Sequence, residues 1–485
     1  MNSLLGARPI RIMRVSSGHM PSQPLAMVIT NIFPPVAGVG TLRTVALCRR
    51  LVQRGWKVVV ITARPRSGDT RDEASVRELP RALRIERAWA PDLPRFAARL
   101  IRGRWPAAAG GRDKARASRS SGAPAARGSP GPGRMALDWL SWWLHMPDGV
   151  TGWFAPAVWA GLRAGLRRRP HVIYSSAPVW TSHLVGATLS CLLRAPLLTD
   201  FRDPWCGSAW NRAPYAAHER ANNFLERLVV RRAKQITCAW DGIRRHLATR
   251  YPEREADIQT ILNGFDPDEM DAVAPARLDD SRCVLLHAGT FYGPRSPLPI
   301  FDGLRQLQAT RPEAARGLLV VLVGSPAYDG KPLEALAQER GIGPLVRVLP
   351  WMPRRQALAL LKGADIAMLF GQSGSEAMAS VPAKTYEYIG AAKSILAVGT
   401  GGEARDLMRR GGCRVWAVDA QDAAGIASAL EQIAAEHARH GLEPPCNGRA
   451  RDTFTWSATA DRLITVLQAV SEQRASPENL RPEGG

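Results

Sequence analysis

The run Leu25-Ala26-Met27-Val28-Ile29-Thr30, the loop Asn31 to Gly40 with Pro34-Pro35 and Gly38-Val39-Gly40, and the second run Val58-Val59-Val60-Ile61-Thr62 decide the fold. Each run is short and continuously apolar, as a strand reads when both of its faces are covered. Between them, Thr41 to Arg54 carries apolar residues at 42, 45, 46, 48, 51 and 52, which is helical spacing, and Gly55 closes the helix. A β-α-β unit with a glycine turn opening its helix follows.

The same alternation runs outward from this unit. Strands are predicted at His171–Ser175, Pro196–Asp200 and Gln235–Ala239, with helices at Ser182–Leu193 and Ala216–Arg232. Asn263-Gly264 makes a turn. A second block begins at Val284–Ala288 and continues through Leu318–Val323, Val346–Leu349, Ile366–Phe370, Ser394–Val398 and Arg414–Val418. This rhythm predicts two doubly wound α/β, Rossmann-like domains, one over 25–275 and one over 276–450. A last helix falls within 451–470. Disordered tails are expected at 1–24, which is basic, and at 471–485.

Residues 102–134 differ in kind, being basic, small and rich in Pro, Gly and Ser. They read as a disordered insertion in the first domain. Five of the fifteen tryptophans follow at 139, 142, 143, 153 and 159. Pro147, Asp148 and Gly149 interrupt them. The stretch reads either as two short core helices or as an interfacial anchor beside the basic insertion.

Lys and Arg number 65 against 43 Asp and Glu, a net charge of +22. Only seven of the 65 are Lys, so Arg-rich coding with a solvated surface is one account. A basic face toward acidic lipid or an anionic substrate is the other. Nucleic acid is not expected as a partner, because no zinc-finger, RNP or basic-zipper pattern occurs. The seven cysteines have no CxxC or metal spacing, and no run approaches a membrane span. The chain therefore reads as cytoplasmic, with no metal and no cofactor.

In doubly wound sheets ligands lie beyond the carboxyl ends of strands, so the loops there supply the candidates. Gly38, Gly40 and Arg43 open the first helix, where glycines admit a ligand closely and amides and a guanidinium meet an anion. Asp200, Arg202, Asp203 and Trp205 follow a buried strand. Arg295 follows His287-Ala288-Gly289, and a guanidinium can hold phosphate bidentately. Lys384 and Glu387, three apart at a helix start, suit phosphate and sugar hydroxyls, or simply pair with each other. Gly401-Gly402-Glu403 forms a turn after a strand.

In this order the motifs resemble the retaining family 4 glycosyltransferases of the two-domain GT-B fold, especially those of bacterial surface polysaccharides. The resemblance rests on Pro34, Pro35, Gly38, Val39, Gly40 and Arg43; on Ser175, Ser176 and Pro178; and on Asp200, Phe201, Arg202, Asp203 and Trp205. Further matches are Asn263-Gly264-Phe265-Asp266, Ala288-Gly289-Thr290-Phe291-Tyr292, Val381-Pro382-Ala383-Lys384 and Tyr386-Glu387-Tyr388. Phe454 and Trp456 open a last helix which, in that fold, packs back across the first domain.

The resemblance implies transfer of a sugar from a nucleotide diphosphate sugar, with retention, onto a glycan or lipid-linked acceptor. It assigns the diphosphate to Arg295, Lys384, the Gly38–Gly40 loop and Arg43, and the ribose to Glu387. Trp351 and Met352 would meet the base, and Gly401, Gly402 and Glu403 the donor sugar. Asp200, Asp203 and His183 would orient the acceptor. The basic insertion and the tryptophans would touch an anionic membrane peripherally.

The sequence also departs from the family. Eight residues before Glu387 stands Ala379 where the family has a Glu, with Glu376 three residues off, and Thr290 occupies one of the family's two cation positions. A non-catalytic nucleotide-sugar-binding or scaffold subunit, and a sugar-nucleotide epimerase, therefore remain as alternatives.

Overall fold

The computed structural model describes residues 23–93, 139, 142–207, 215–291, 295–371, 380–440 and 448–472. The expected disordered insertion 102–134 lies outside them, as do most of the two expected tails.

The first sheet is built from β1 (Leu25–Ile29), β2 (Lys57–Ala63), β3 (Leu83–Ala88), β4 (Val172–Ala177), β5 (Leu197–Phe201), β6 (Gln235–Cys238) and β7 (Ile258–Thr260), in the order β3-β2-β1-β4-β5-β6-β7. Every pairing is parallel. All five residues of β1 are buried, as a central strand covered on both faces requires. β3 is a half-buried edge strand whose sequence, Leu-Arg-Ile-Glu-Arg-Ala, carries no continuous apolar run; that is why the periodicity did not predict it.

Successive strand residues point to opposite faces, and each face has its own core. Ala26, Val28, Val58, Val60, Val172 and Tyr174 face α1 (Val39–Gln53). Leu25, Met27, Ile29, Val59 and Ile173 face α2 (Phe154–Arg167), α3 (Thr181–Leu192), α4 (Ala216–Arg232) and α5 (Asp241–Arg250). Of the tryptophan-rich stretch, Trp153 alone is fully buried, beneath the start of α2. Trp139, Trp142, Trp143 and Trp159 are exposed, so a pair of core helices does not describe the stretch.

A short linker, with α6 (Pro267–Asp271) capped by Asp266, leads to the second sheet. Its strands are β8 (Cys283–Gly289), β9 (Leu318–Gly324), β12 (Val346–Pro350), β13 (Ile366–Phe370), β14 (Ser394–Val398) and β15 (Val415–Val418), in the order β12-β9-β8-β13-β14-β15, again parallel. A small hairpin of β10 (Ala327–Tyr328) and β11 (Lys331–Pro332) stands outside it. One face packs on α7 (Leu298–Thr310) and α11 (Ala423–His440). The other packs on α8 (Arg354–Gly363), α9 (Lys384–Gly390) and α10 (Gly402–Arg410).

The chain then returns. Phe265 and Thr455 form a bridge, and a Cβ on Gly264 would lie 2.6 Å from the backbone of Thr455, so only glycine allows the two segments to cross. α12 (Trp456–Glu472) lies on the first domain, with Leu463, Ile464, Leu467 and Val470 in the α1 core and Asp461 accepting from Arg50 and Arg54. It continues through Ser471 and Glu472, which sequence had assigned to a disordered tail. No helix among the described residues is long and apolar enough to cross a membrane.

Candidate active site between the two sheets

Strand order reverses between β1 and β4 in the first sheet and between β8 and β13 in the second. Crevices open at the carboxyl ends of such strand pairs. The loops after β1, β4, β5 and β8 therefore carry the candidate residues.

Arg43 takes a different role from the one expected. Its Nε and Nη2 donate to the two carboxylate oxygens of Asp200, each at 2.8 Å, and Nη1 donates to Leu262 O and Asn263 Oδ1. Asp200 also accepts from Tyr174 and Thr237, each at 2.7 Å, and from Ser176 at 3.3 Å. Burial alone would raise the Asp200 carboxyl, but Arg43 and the hydroxyls hold it below the usual range. Both side chains are sealed, at 1% and 0% exposure. Neither is presented to a donor or an acceptor; together they tie α1 to β5, β6 and the linker.

His183 is likewise enclosed. Its Nδ1 meets Ser175 Oγ at 2.8 Å, and burial depresses its pKa to about 3, so it is a neutral ring inside the first domain. Arg202, a strand-end candidate given no role of its own, fixes the glycine loop by donating to Gly40 O and to Ala177 O. Gly38 is exposed, with no atom within 4 Å of where a Cβ would stand.

Asp203 is placed otherwise than Asp200. Burial raises its pKa to about 6, against the pull of Arg202 and of Arg295 from the second domain. It is a carboxylate near neutrality where the two sheets face each other, the setting a proton-handling group needs.

On the second domain the cations converge. Lys384 opens α9, where burial lowers its pKa and the charges of Arg354 and Arg295 lower it further. His287 at the end of β8 gives Nδ1 to Met368 O, and burial, with Lys384 and Arg295 nearby, keeps it neutral at about 3. Gly289 is the floor: a Cβ there would stand 2.9 Å from both Lys384 Cε and His287 Nε2.

Glu387 lies 3.8 Å from Lys384 and accepts from Arg354, whose other nitrogens clasp Glu269 on α6 at 2.7 and 3.1 Å. Burial raises the Glu387 carboxyl, but Lys384 and Arg354 outweigh it and hold it charged. Arg354 was missed: beside Arg355 at the start of a helix, its sequence context gives no sign of its partners. Burial is the main cause of the lowered Lys384 pKa, and a phosphate oxygen at this cation cluster would offset the smaller repulsion from Arg354 and Arg295.

Glu403, expected at the donor sugar, reaches across to the first domain. Its carboxylate accepts the amides of Asp241, at 2.5 Å, and Gly242, at 2.9 Å, at the start of α5 in the other domain. A carboxylate at a helix start is favourable, and here it joins the two halves. Gly401 and Gly402 lead into α10 behind it. Trp351 is 72% exposed at the end of the edge strand β12, and Met352 packs partly against the core. Glu376, Ala379 and Tyr292 lie outside the described residues.

Among the described residues, Cys283, Asp365 and His437 bring possible metal ligands within 4.8 Å of one another. They lie at the amino ends of β8 and β13, away from the cleft, and Asp365 is already taken by the amide of Val284 and by Arg277.

No family model and no curated protein matches the chain. Solved structures do. Sucrose-phosphate synthase from Thermosynechococcus elongatus is similar at 14% identity and a TM-score of 0.56, over 94% of this chain and 100% of its own. A glycosyltransferase from Rickettsia africae is similar at 13% and 0.56, over 93% and 99%. HepE from Anabaena, in complex with UDP, is similar at 13% and 0.53, over 93% and 99%. At such identities the likeness shows the fold, which is GT-B along the whole chain.

Proposed function

We propose that the protein is a retaining, metal-independent glycosyltransferase of the hexosyltransferase type in bacterial cell-surface polysaccharide synthesis. It moves a sugar from a nucleoside diphosphate sugar to a glycan or lipid-linked acceptor. The observation that carries this reading is the grouping of Lys384, Arg295 and Glu387 around Gly289 at the strand ends of the second sheet.

Lys384 and Arg295 neutralise the diphosphate as it leaves, which is where charge develops. Glu387, kept ionised and aimed by Arg354, accepts from the ribose hydroxyls. Trp351 offers its exposed ring to the base. The Gly38 loop approaches the diphosphate from the first domain. Asp203 orients the acceptor hydroxyl and takes its proton. Two neighbours support the substrate class by name: HepE, in complex with UDP, and WaaB, a lipopolysaccharide outer core galactosyltransferase at 12% identity and a TM-score of 0.52. A lipid-linked acceptor would bring the chain to the inner face of a membrane.

Thermal stabilisation by UDP, GDP, ADP and dTDP tests the donor site, because a ligand of the folded form raises the melting temperature. One nucleotide should stabilise the wild type and fail with Lys384→Ala and Glu387→Ala, whose unliganded melting stays normal. A well-folded protein that responds to none of the four is a non-catalytic scaffold.

A further inference from the structure

We infer that the outer face of α2, α3 and α4, part of the folded body of the first domain, docks on an anionic lipid bilayer. The inference rests on the proposed function only for why a bilayer is near.

Large apolar side chains are exposed along this face. They are Trp159 at 68% and Leu166 at 74% on α2, Leu192 at 55% on α3, and Phe224 at 64% and Leu228 at 43% on α4. Trp143 continues the row at the start of α4, its ring 4.4 Å from His218. The three helices lie side by side over one side of the sheet. Scattered exposed apolar residues are ordinary, but a row across adjacent helices marks a contact surface.

Charge names the partner. Residues 154–169, 181–194 and 216–232 contain nine arginines and two glutamates. One of the two, Glu226, turns inward to Arg250, Tyr251 and the amide of Cys206. Within these three segments Glu219 is then the only outward acid, while Arg163 on α2 pairs with Glu86 of β3 at 3.2 Å. Between α3 and α4 a groove of about 440 Å³ is lined by Cys191, Phe224, Arg227, Leu228, Arg231 and Arg232. Apolar rings and chains flanked by guanidiniums, with almost no acid, match the boundary between acyl chains and anionic headgroups.

Geometry relates this surface to the cleft. α3 starts four residues after β4 ends, at the crevice, and α4 is the helix that leads from β5 back to β6. A bilayer on this face therefore reaches Trp143 and His218 at the start of α4, the helix whose Asn222 accepts from Trp205 in the loop that holds Asp203. A lipid-linked acceptor could enter there without leaving the membrane.

Flotation of the full chain tests the inference, using phosphatidylglycerol-rich or pure phosphatidylcholine vesicles at low and high salt. The wild type should float with the anionic vesicles only, and less as salt rises. L192S/F224S/L228S should lower the bound fraction at least about tenfold. R227Q/R231Q should weaken binding and flatten its salt dependence. Melting and the nucleotide response of both variants should match the wild type. The inference is overturned if the wild type does not float, if it floats equally with phosphatidylcholine, or if the apolar variant floats like the wild type, which would place the contact elsewhere in the chain. Flotation that depends on this face in a protein deaf to every nucleotide would uphold the docking surface and sink the transferase.

Discussion

Arg43 and Asp200, 157 positions apart, meet as a bidentate ion pair with both contacts at 2.8 Å and no access to water. One closes the first turns of α1 and the other ends β5, so the pair fixes the glycine loop relative to the strand that carries Asp203. Its work is architectural.

Breaking one side of such a pair leaves a bare buried charge. Arg43→Met should cost about 3–5 kcal/mol in urea unfolding. Arg43→Met with Asp200→Leu should recover much of that loss, because the orphan charge is gone. A single variant as stable as the wild type would contradict the sealed pair.

The Asp203 carboxyl has its pKa raised to about 6 by burial. If its ionised form takes the acceptor proton, kcat/KM should climb with pH through about 6, and Asp203→Asn should lose that limb and fall on the order of a hundredfold. Stability runs the other way. The raised pKa means burial opposes the charged form, so the stabilisation is full below the ordinary value near ~4 and is lost as pH rises through about 6. Melting of the wild type, compared with Asp203→Asn, should improve as pH falls across that window. A flat difference would remove the assignment.

Gly289→Ala places a methyl 2.9 Å from both Lys384 Cε and His287 Nε2. Lys384 must then swing off the strand end. Nucleotide stabilisation should drop about tenfold or more in affinity, while unfolding in urea changes by only about 1–2 kcal/mol. Undiminished nucleotide affinity would show that Lys384 does not need its observed position.

Glu403 accepts two amides across the domain boundary, and hydrogen bonds to a charged group are worth about 1.5–3 kcal/mol each. Glu403→Ala should let the halves separate, seen as a larger radius of gyration in solution scattering, and raise the donor KM. Unchanged scattering would mean that other contacts hold the closure.

The fold was legible because most central strands are short, largely apolar runs and most crossovers carry an amphipathic helix. Elements whose local pattern is weak escaped: β3 is charged and lies at an edge, and β7 has only three residues. The cation cluster was legible at Lys384, Glu387 and Arg295, since strand-end loops were the right place to look. Arg43 shows the limit. A guanidinium in the first turn of a helix after a glycine loop reads the same whether it faces an anion outside or Asp200 inside. The decision rests on three hydroxyls and a carboxylate brought in from β4, β5 and β6, which no local window contains. Arg354 and the Glu403 contact escaped for the same reason, as their partners are far away in sequence.

The returning α12 also imposes an order of assembly. The first sheet is complete in the growing chain by Thr260, yet the surface formed by Leu47, Leu51, Val58 and Val60 lacks its cover until Leu463 to Val470 have been made. During synthesis the half that begins first is finished last, with an apolar flank open while the whole second domain forms. A chain halted after Thr455 should accordingly be cut by protease first within residues 25–260, although everything it lacks lies at the opposite terminus.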